Sequence, residues 1–142
     1  IASRTIQPFE VEFENNRPVI FFNTNRLTRK FADLNQSNEV TLTYLNQQEM
    51  SCIVYIGTCE RIPYPQSTRH WRDWLYMFYP EGNDESAGSR FTTWKVVPKR
   101  ITVLSFTDGV SSFRHDGRPP ELEYDDEREM WKMVCNGREE EK

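Results

Sequence analysis

Apolar and polar positions alternate through most of the first hundred residues, the period expected of half-buried strands. Ile1 to Pro8 reads as a strand fragment and Phe9-Glu-Val-Glu-Phe13 as a strand with one acidic face. Asn15-Asn16-Arg17-Pro18 is a turn signal, and Val19 to Thr24 follows as a buried strand. Val40-Thr-Leu-Thr-Tyr44 and Met50 to Ile62 continue the pattern, with a polar turn at Asn46–Glu49 between them. Phe91 to Val97 and Arg100 to Phe106 are read as two strands separated at Pro98. Elsewhere the spacing becomes helical. Leu27, Phe31 and Leu34 fall on one face of a short helix that Asn25 or Thr28 would cap. Gln66 to Tyr79 reads as a longer helix with Trp71, Trp74, Leu75 and Phe78 on one face, and Glu121 to Val134 as a charged helix. The pattern as a whole predicts an α+β fold with a small β-barrel core and helical insertions.

Composition narrows this picture. The chain has 142 residues, enough for one domain, and 13% of them are aromatic, too many for a disordered segment. Eighteen basic against twenty-two acidic residues give a net charge of −4, which argues against a general binder of nucleic-acid phosphates. Three cysteines without CxxC spacing indicate neither a disulfide framework nor a structural zinc, so the expected compartment is the cytoplasm. No apolar run approaches the roughly 20 residues that span a bilayer. His70 and His115, the two histidines, have no spacing that calls for a metal.

Candidate chemistry concentrates in Phe22-Asn-Thr-Asn-Arg-Leu-Thr-Arg-Lys30. A buried strand ends there and a helix begins. Thr24, Asn25 and Thr28 offer polar side chains, Arg29 and Lys30 bring positive charge, and the helix start supplies free N–H groups. That combination suits a phosphate. An ordinary strand-to-helix turn with solvated basic residues is the other reading of the same stretch.

The same residues carry a family resemblance. Phe22-x-Thr24-Asn25-x-x-Thr28-Arg29-Lys30, followed about ten residues later by Val40-Thr-Leu-Thr-Tyr44, resembles the FMN-binding split barrel of the pyridoxamine 5'-phosphate oxidase superfamily. Ser3-Arg4-Thr5 is similar to the strand preceding that motif, and Ile56-Gly57-Thr58-Cys59-Glu60 to the family's central strand. Phe78-Tyr-Pro-Glu-Gly82 looks like the corresponding stretch of the general stress protein 26 branch. The resemblance implies a six-stranded antiparallel split β-barrel with short helical insertions over residues 1–106. Its first strand would be missing before Ile1, and residues 107–142 would form an extension. It also implies a homodimer with FMN at the interface. Arg29, Lys30 and Thr28 would hold the FMN phosphate, Thr24 and Asn25 would follow the ribityl chain and ring edge, and Arg4, Thr5 and Ile6 would line the isoalloxazine. Cys52, Trp74 and Phe78 would border the pocket.

The chain also departs from the true oxidases. Its tail lacks their Trp-x-x-x-Arg-Leu strand, and Cys52 stands where a glutamine is frequent. The expectation is therefore an FMN-dependent oxidoreductase acting on a small molecule, distinct from pyridoxamine phosphate oxidase itself. The alternatives are a flavin-binding, stress-related protein without turnover and a cofactor-free interaction domain. F420 is the alternative cofactor.

Overall fold

The computed structural model describes residues 6, 8, 9, 11–105 and 120–134. Seven strands and one α-helix occur among them: β1 (Glu12–Glu14), β2 (Arg17–Asn25), α1 (Arg29–Gln36), β3 (Glu39–Asn46), β4 (Ser51–Ile62), β5 (Phe91–Ser105), β6 (Glu121–Asp125) and β7 (Met130–Val134). Three short 3₁₀ helices, Gln66–His70, Asp73–Met77 and Glu85–Ala87, lie between β4 and β5. Hydrogen-bonded neighbours follow the order β1-β2-β5-β4-β3, with β6 on β5 and β7 on β6. The expected α+β class holds, as a mostly antiparallel sheet with few helices. The strands number seven rather than six, and their path does not close into a barrel among the described residues. No described helix is long and apolar enough to cross a membrane. The strand expected over Ile1 to Pro8 lies largely outside the described residues.

Two compact units partition the chain. The first comprises Ile1–Glu12, Pro18–Asn38 and Cys59–Val97. Here β2 runs antiparallel to the first half of β5, from Ile20 opposite Val96 to Asn25 opposite Phe91. Val19, Ile20, Phe21 and Phe22 are all buried, so the strand is apolar on both faces and reads as a continuous run. Phe31 of α1 meets Trp94 edge-on at 5.7 Å, under the Arg61 guanidinium. A second cluster joins Leu75, Tyr79 and Phe91, with Phe9 and Trp71 against it.

The second unit comprises Phe13–Arg17, Glu39–Thr58 and Pro98–Lys142. It contains the β3–β4 hairpin, registered from Glu39 opposite Thr58 to Asn46 opposite Ser51. It also contains the second half of β5, which pairs β6, and the β6–β7 hairpin.

Several sequence expectations are corrected. The strand expected over Phe9–Phe13 is confined to Glu12–Glu14. The first helix starts at Arg29, leaving Leu27 outside it and exposed. The helix expected over Gln66–Tyr79 is two 3₁₀ turns separated by extended backbone at Trp71 and Arg72. Tertiary burial explains the break. His70 and Leu75 are both buried, yet five residues apart on an α-helix they would point about 140° apart. Trp74 and Phe78, two of the residues expected along the apolar face of that helix, are exposed.

Strand β5 passes through Pro98 without interruption. That position falls between Val96, the last residue registered with β2, and Arg100, the first registered with β6, where a missing N–H costs least.

The charged helix expected over Glu121–Val134 is the β6–β7 hairpin. Tyr124 stands opposite Trp131 with ring centroids 5.1 Å apart, and the Arg17 guanidinium covers Tyr124 at 3.7 Å. Asp125 Oδ1 accepts the backbone N–H groups of Glu127 and Arg128, closing the turn.

Candidate functional site

Strand β2 sends neighbouring side chains to opposite faces. Thr24 points into the core, 3% exposed, where its hydroxyl accepts the Trp94 indole N–H at 2.9 Å. Asn23 and Asn25 share the other face and line a cleft of about 280 Å³ in the first unit. Asn25 also builds the turn into α1. Its side-chain Oδ1 accepts the Leu27 N–H at 2.9 Å, and its carbonyl accepts both the N–H and the hydroxyl of Thr28. Thr28 occupies the N-cap position without a side-chain cap bond, so no side chain closes the first turn of α1. Arg29 is exposed and Lys30 reaches the cleft wall.

The opposite wall comes from the 3₁₀ turn Asp73–Met77 and the residues after it. Trp74, Leu75 and Phe78 line the cleft with Ile6, and the Trp74 and Phe78 rings meet edge-on at 6.3 Å. Leu75 is buried and anchors the turn, while Trp74 and Phe78 remain 48% and 62% exposed at its rim. Tyr79 completes the wall by donating its phenolic O–H to Asn23 Oδ1 at 2.9 Å. Burial pushes the Tyr79 phenol up to about 12, reinforced by the nearby Glu81 charge. At neutral pH it is a hydrogen-bond donor, not a base.

Of the residues singled out in the sequence, Ile6, Asn25, Lys30, Trp74 and Phe78 meet at this cleft. Thr28 and Arg29 lie at the adjoining helix start. Thr24 is turned away, and Cys52 sits on β4 of the second unit opposite Leu45. Arg4 and Thr5 lie outside the described residues. Asn23, Leu75 and Tyr79 are cleft residues that motif reasoning missed. The signal for Asn23 was present, because a period of two places it with Asn25.

Other polar groups of the first unit are engaged structurally. His70 stacks between Phe9 and Phe21, and its Nε2 lies 3.0 Å from Glu12 Oε2. Burial alone would raise the Glu12 carboxyl; hydrogen bonds from His70 and Arg69 outweigh it and hold the group below its ordinary value. Glu85 joins Arg26 and Arg61. Burial pushes the Cys59 thiol up to about 12, so it is not a nucleophile at neutral pH. Among the described residues no three His, Cys, Asp or Glu side chains converge to hold a metal.

The sequence matches no protein-family model and no curated protein. Solved structures do match. A Clostridium acetobutylicum protein related to general stress protein 26, of the pyridoxine phosphate oxidase family, superposes with a TM-score of 0.54 at 19% identity. That match covers 63% of this chain and only 61% of that one. A pyridoxamine 5'-phosphate oxidase-related, FMN-binding protein from Nostoc punctiforme gives 0.66 at 11% identity, covering 96% of this chain and 80% of that one. PhzG from Burkholderia lata, in complex with tetrahydrophenazine-1-carboxylic acid, gives 0.67 at 14% identity over 94% and 73%. At such identities what is shared is the fold, and this chain has the split-barrel-like fold of the pyridoxamine 5'-phosphate oxidase-like proteins.

Proposed function

We propose that the chain is a cytoplasmic FMN-binding flavoprotein with oxidoreductase activity toward a small molecule. The observation that carries this reading is the cleft itself. Exposed aromatic rings of Trp74 and Phe78 face a strand bearing Asn23 and Asn25, and Lys30 stands where α1 begins. The residues present fit the group. Two adjacent cations and a helix start closed by no side chain suit a phosphate dianion, and the Thr28 hydroxyl would join them by giving up its bond to the Asn25 carbonyl. Planar apolar walls with amide edges suit a heterocyclic ring. A volume of about 280 Å³ lies at the low end of small-molecule sites, roughly 300–1,000 Å³, so the cleft would enclose the ring and leave the rest against open surface.

In this assignment Arg29, Lys30 and Thr28 hold the phosphate, and Asn23, Asn25, Ile6, Trp74 and Phe78 orient and cover the ring. Bound flavin would supply the redox chemistry. Tyr79 stays protonated and fixes a neighbour, so the chain's own contribution is binding, orientation and exclusion of water. Residues 1–106 would be the cofactor-binding part. Trp74, Tyr76, Met77 and Phe78 are exposed together, an apolar surface that supports a homodimer covering the cofactor.

Titration of the purified protein with FMN, followed by flavin fluorescence alongside the mass in solution, tests the reading. Saturation at one flavin per chain in a dimer is expected. A folded protein that leaves FMN fluorescence unchanged would refute it.

A further inference from the structure

Two guanidinium groups converge on one carboxylate oxygen in the first unit. Arg26 Nη1 donates to Glu85 Oε1 at 3.3 Å, and Arg61 Nη2 donates to the same oxygen. The three side chains are 27–35% exposed, within reach of a solute. Two cations against one anion leave a positive charge here, in a chain whose net charge is −4. The carboxylates next to them in sequence are engaged elsewhere. Glu60 faces Lys95 at 3.9 Å, and Asp84 Oδ1 accepts the N–H groups of Ser86 and Ala87. Both arginines have supports besides Glu85. The Arg61 guanidinium lies over the Phe31 ring at 5.4 Å, and the Arg26 backbone N–H donates to the Arg90 carbonyl at 2.7 Å. Phe31 packs on Trp94, whose indole reaches Thr24, so this cluster stands on the Thr24 side of β2, away from the cleft. Glu85 is the removable partner. Its 3₁₀ turn is closed by the Asp84 cap and by Gly88 at φ +93°, not by the Glu85 side chain.

We propose that Arg26 and Arg61 form a second anion site, suited to a phosphate dianion, which the Glu85 carboxylate occupies and closes in the free chain. A monoanion such as Glu85 leaves one positive charge unbalanced. A phosphate dianion balances both, and its oxygens suit two planar guanidinium forks. A site held by an internal occupant binds an outside ligand only in the fraction of molecules where that occupant has left. Its apparent affinity falls by the same fraction, so Glu85 sets the phosphate concentration at which the site fills. The inference is independent of the flavin reading, since it uses neither the cleft nor Arg29 and Lys30.

The test titrates inorganic phosphate and glycerol phosphate calorimetrically into the full chain carrying Arg29→Ala and Lys30→Ala, which removes the other pair of cations. At about pH 8 both probes are dianions. Glu85→Gln, added to that chain, keeps the shape and removes the competing charge. It should tighten phosphate at least about tenfold, and a further Arg61→Gln should cancel the gain. Tighter binding of glycerol phosphate would assign the site to a phosphate ester, and the reverse order to the free ion. Should Glu85→Gln fail to fold, Arg61→Gln alone in the same background is read instead, and it should weaken phosphate at least about tenfold. A folded Glu85→Gln chain that loses stability without binding phosphate more tightly would make Glu85 a structural tie and overturn the proposal. Phosphate binding unmoved by Arg61→Gln would overturn it equally. Neither result bears on FMN, which is titrated separately.

Discussion

Trp94 of β5 donates its indole N–H to Thr24 Oγ1 of β2 at 2.9 Å, two positions out of register with it, and the bond is buried. Removing the acceptor leaves an indole donor with no partner in the core. Thr24→Val should lower stability by about 1–3 kcal/mol, read by chemical denaturation. Thr24 points away from the cleft, so FMN affinity should change less than about twofold, within the range of indirect effects. A large loss of FMN with little loss of stability would return Thr24 to the ligand.

Arg29 and Lys30 open α1, where no side chain caps the first turn. Charge-assisted bonds from two cations to a phosphate contribute roughly 1.5–3 kcal/mol each. Replacing both with Ala should reduce FMN affinity by at least about a hundredfold while leaving riboflavin nearly unchanged. Isothermal titration with the two ligands separates the ends of the site. Equal losses for both would move the phosphate elsewhere.

Glu12 accepts from Arg69 at 2.8 and 3.0 Å and lies 3.0 Å from His70 Nε2. Its folded pKa is below the ordinary 4.5, so the unfolded chain binds the proton more tightly. The pairing therefore stabilises the fold above that value and is lost as pH falls through the lower folded pKa. Glu12→Gln should flatten the acid limb of the stability profile, measured by urea midpoints between pH 6 and pH 3. An unchanged slope would show that the carboxylate is not coupled to folding.

Cys59 is buried on β4, and its thiol is pushed up to about 12 by burial and then by the Glu60 charge. Thiolate, not thiol, is the reactive form. Iodoacetamide at neutral pH should modify Cys52, which is half-exposed, before Cys59, whose labelling should follow unfolding. Peptide mass mapping over time reads the order. Prompt labelling of Cys59 in the folded protein would contradict its burial.

Alternation made β3 legible, through a burial pattern with a period of two, and β2 was legible as a continuous apolar run. The Asn25–Lys30 stretch was equally readable, because a strand end, an amide and a basic helix start are neighbours in the chain. The same period already separated Thr24 from Asn23 and Asn25, although the family motif drew attention to Thr24. What lay beyond reach was set by distant partners. Tyr79 meets Asn23 across 56 residues, and no local pattern predicts that pair. The Glu121–Val134 segment is charged enough to read as a helix. It is a hairpin because Tyr124 and Trp131 find the carbonyls of Asn15 and Asn16, 109 and 115 residues away. Similarly, Gln66–Tyr79 breaks between His70 and Leu75, both buried, which a continuous α-helix would point about 140° apart. Interactions between near neighbours were enough to specify β2, β3 and the chemistry of the helix start. Which side chains share the cleft depends instead on contacts distant in the chain, whose entropy of closure is met by the assembled core.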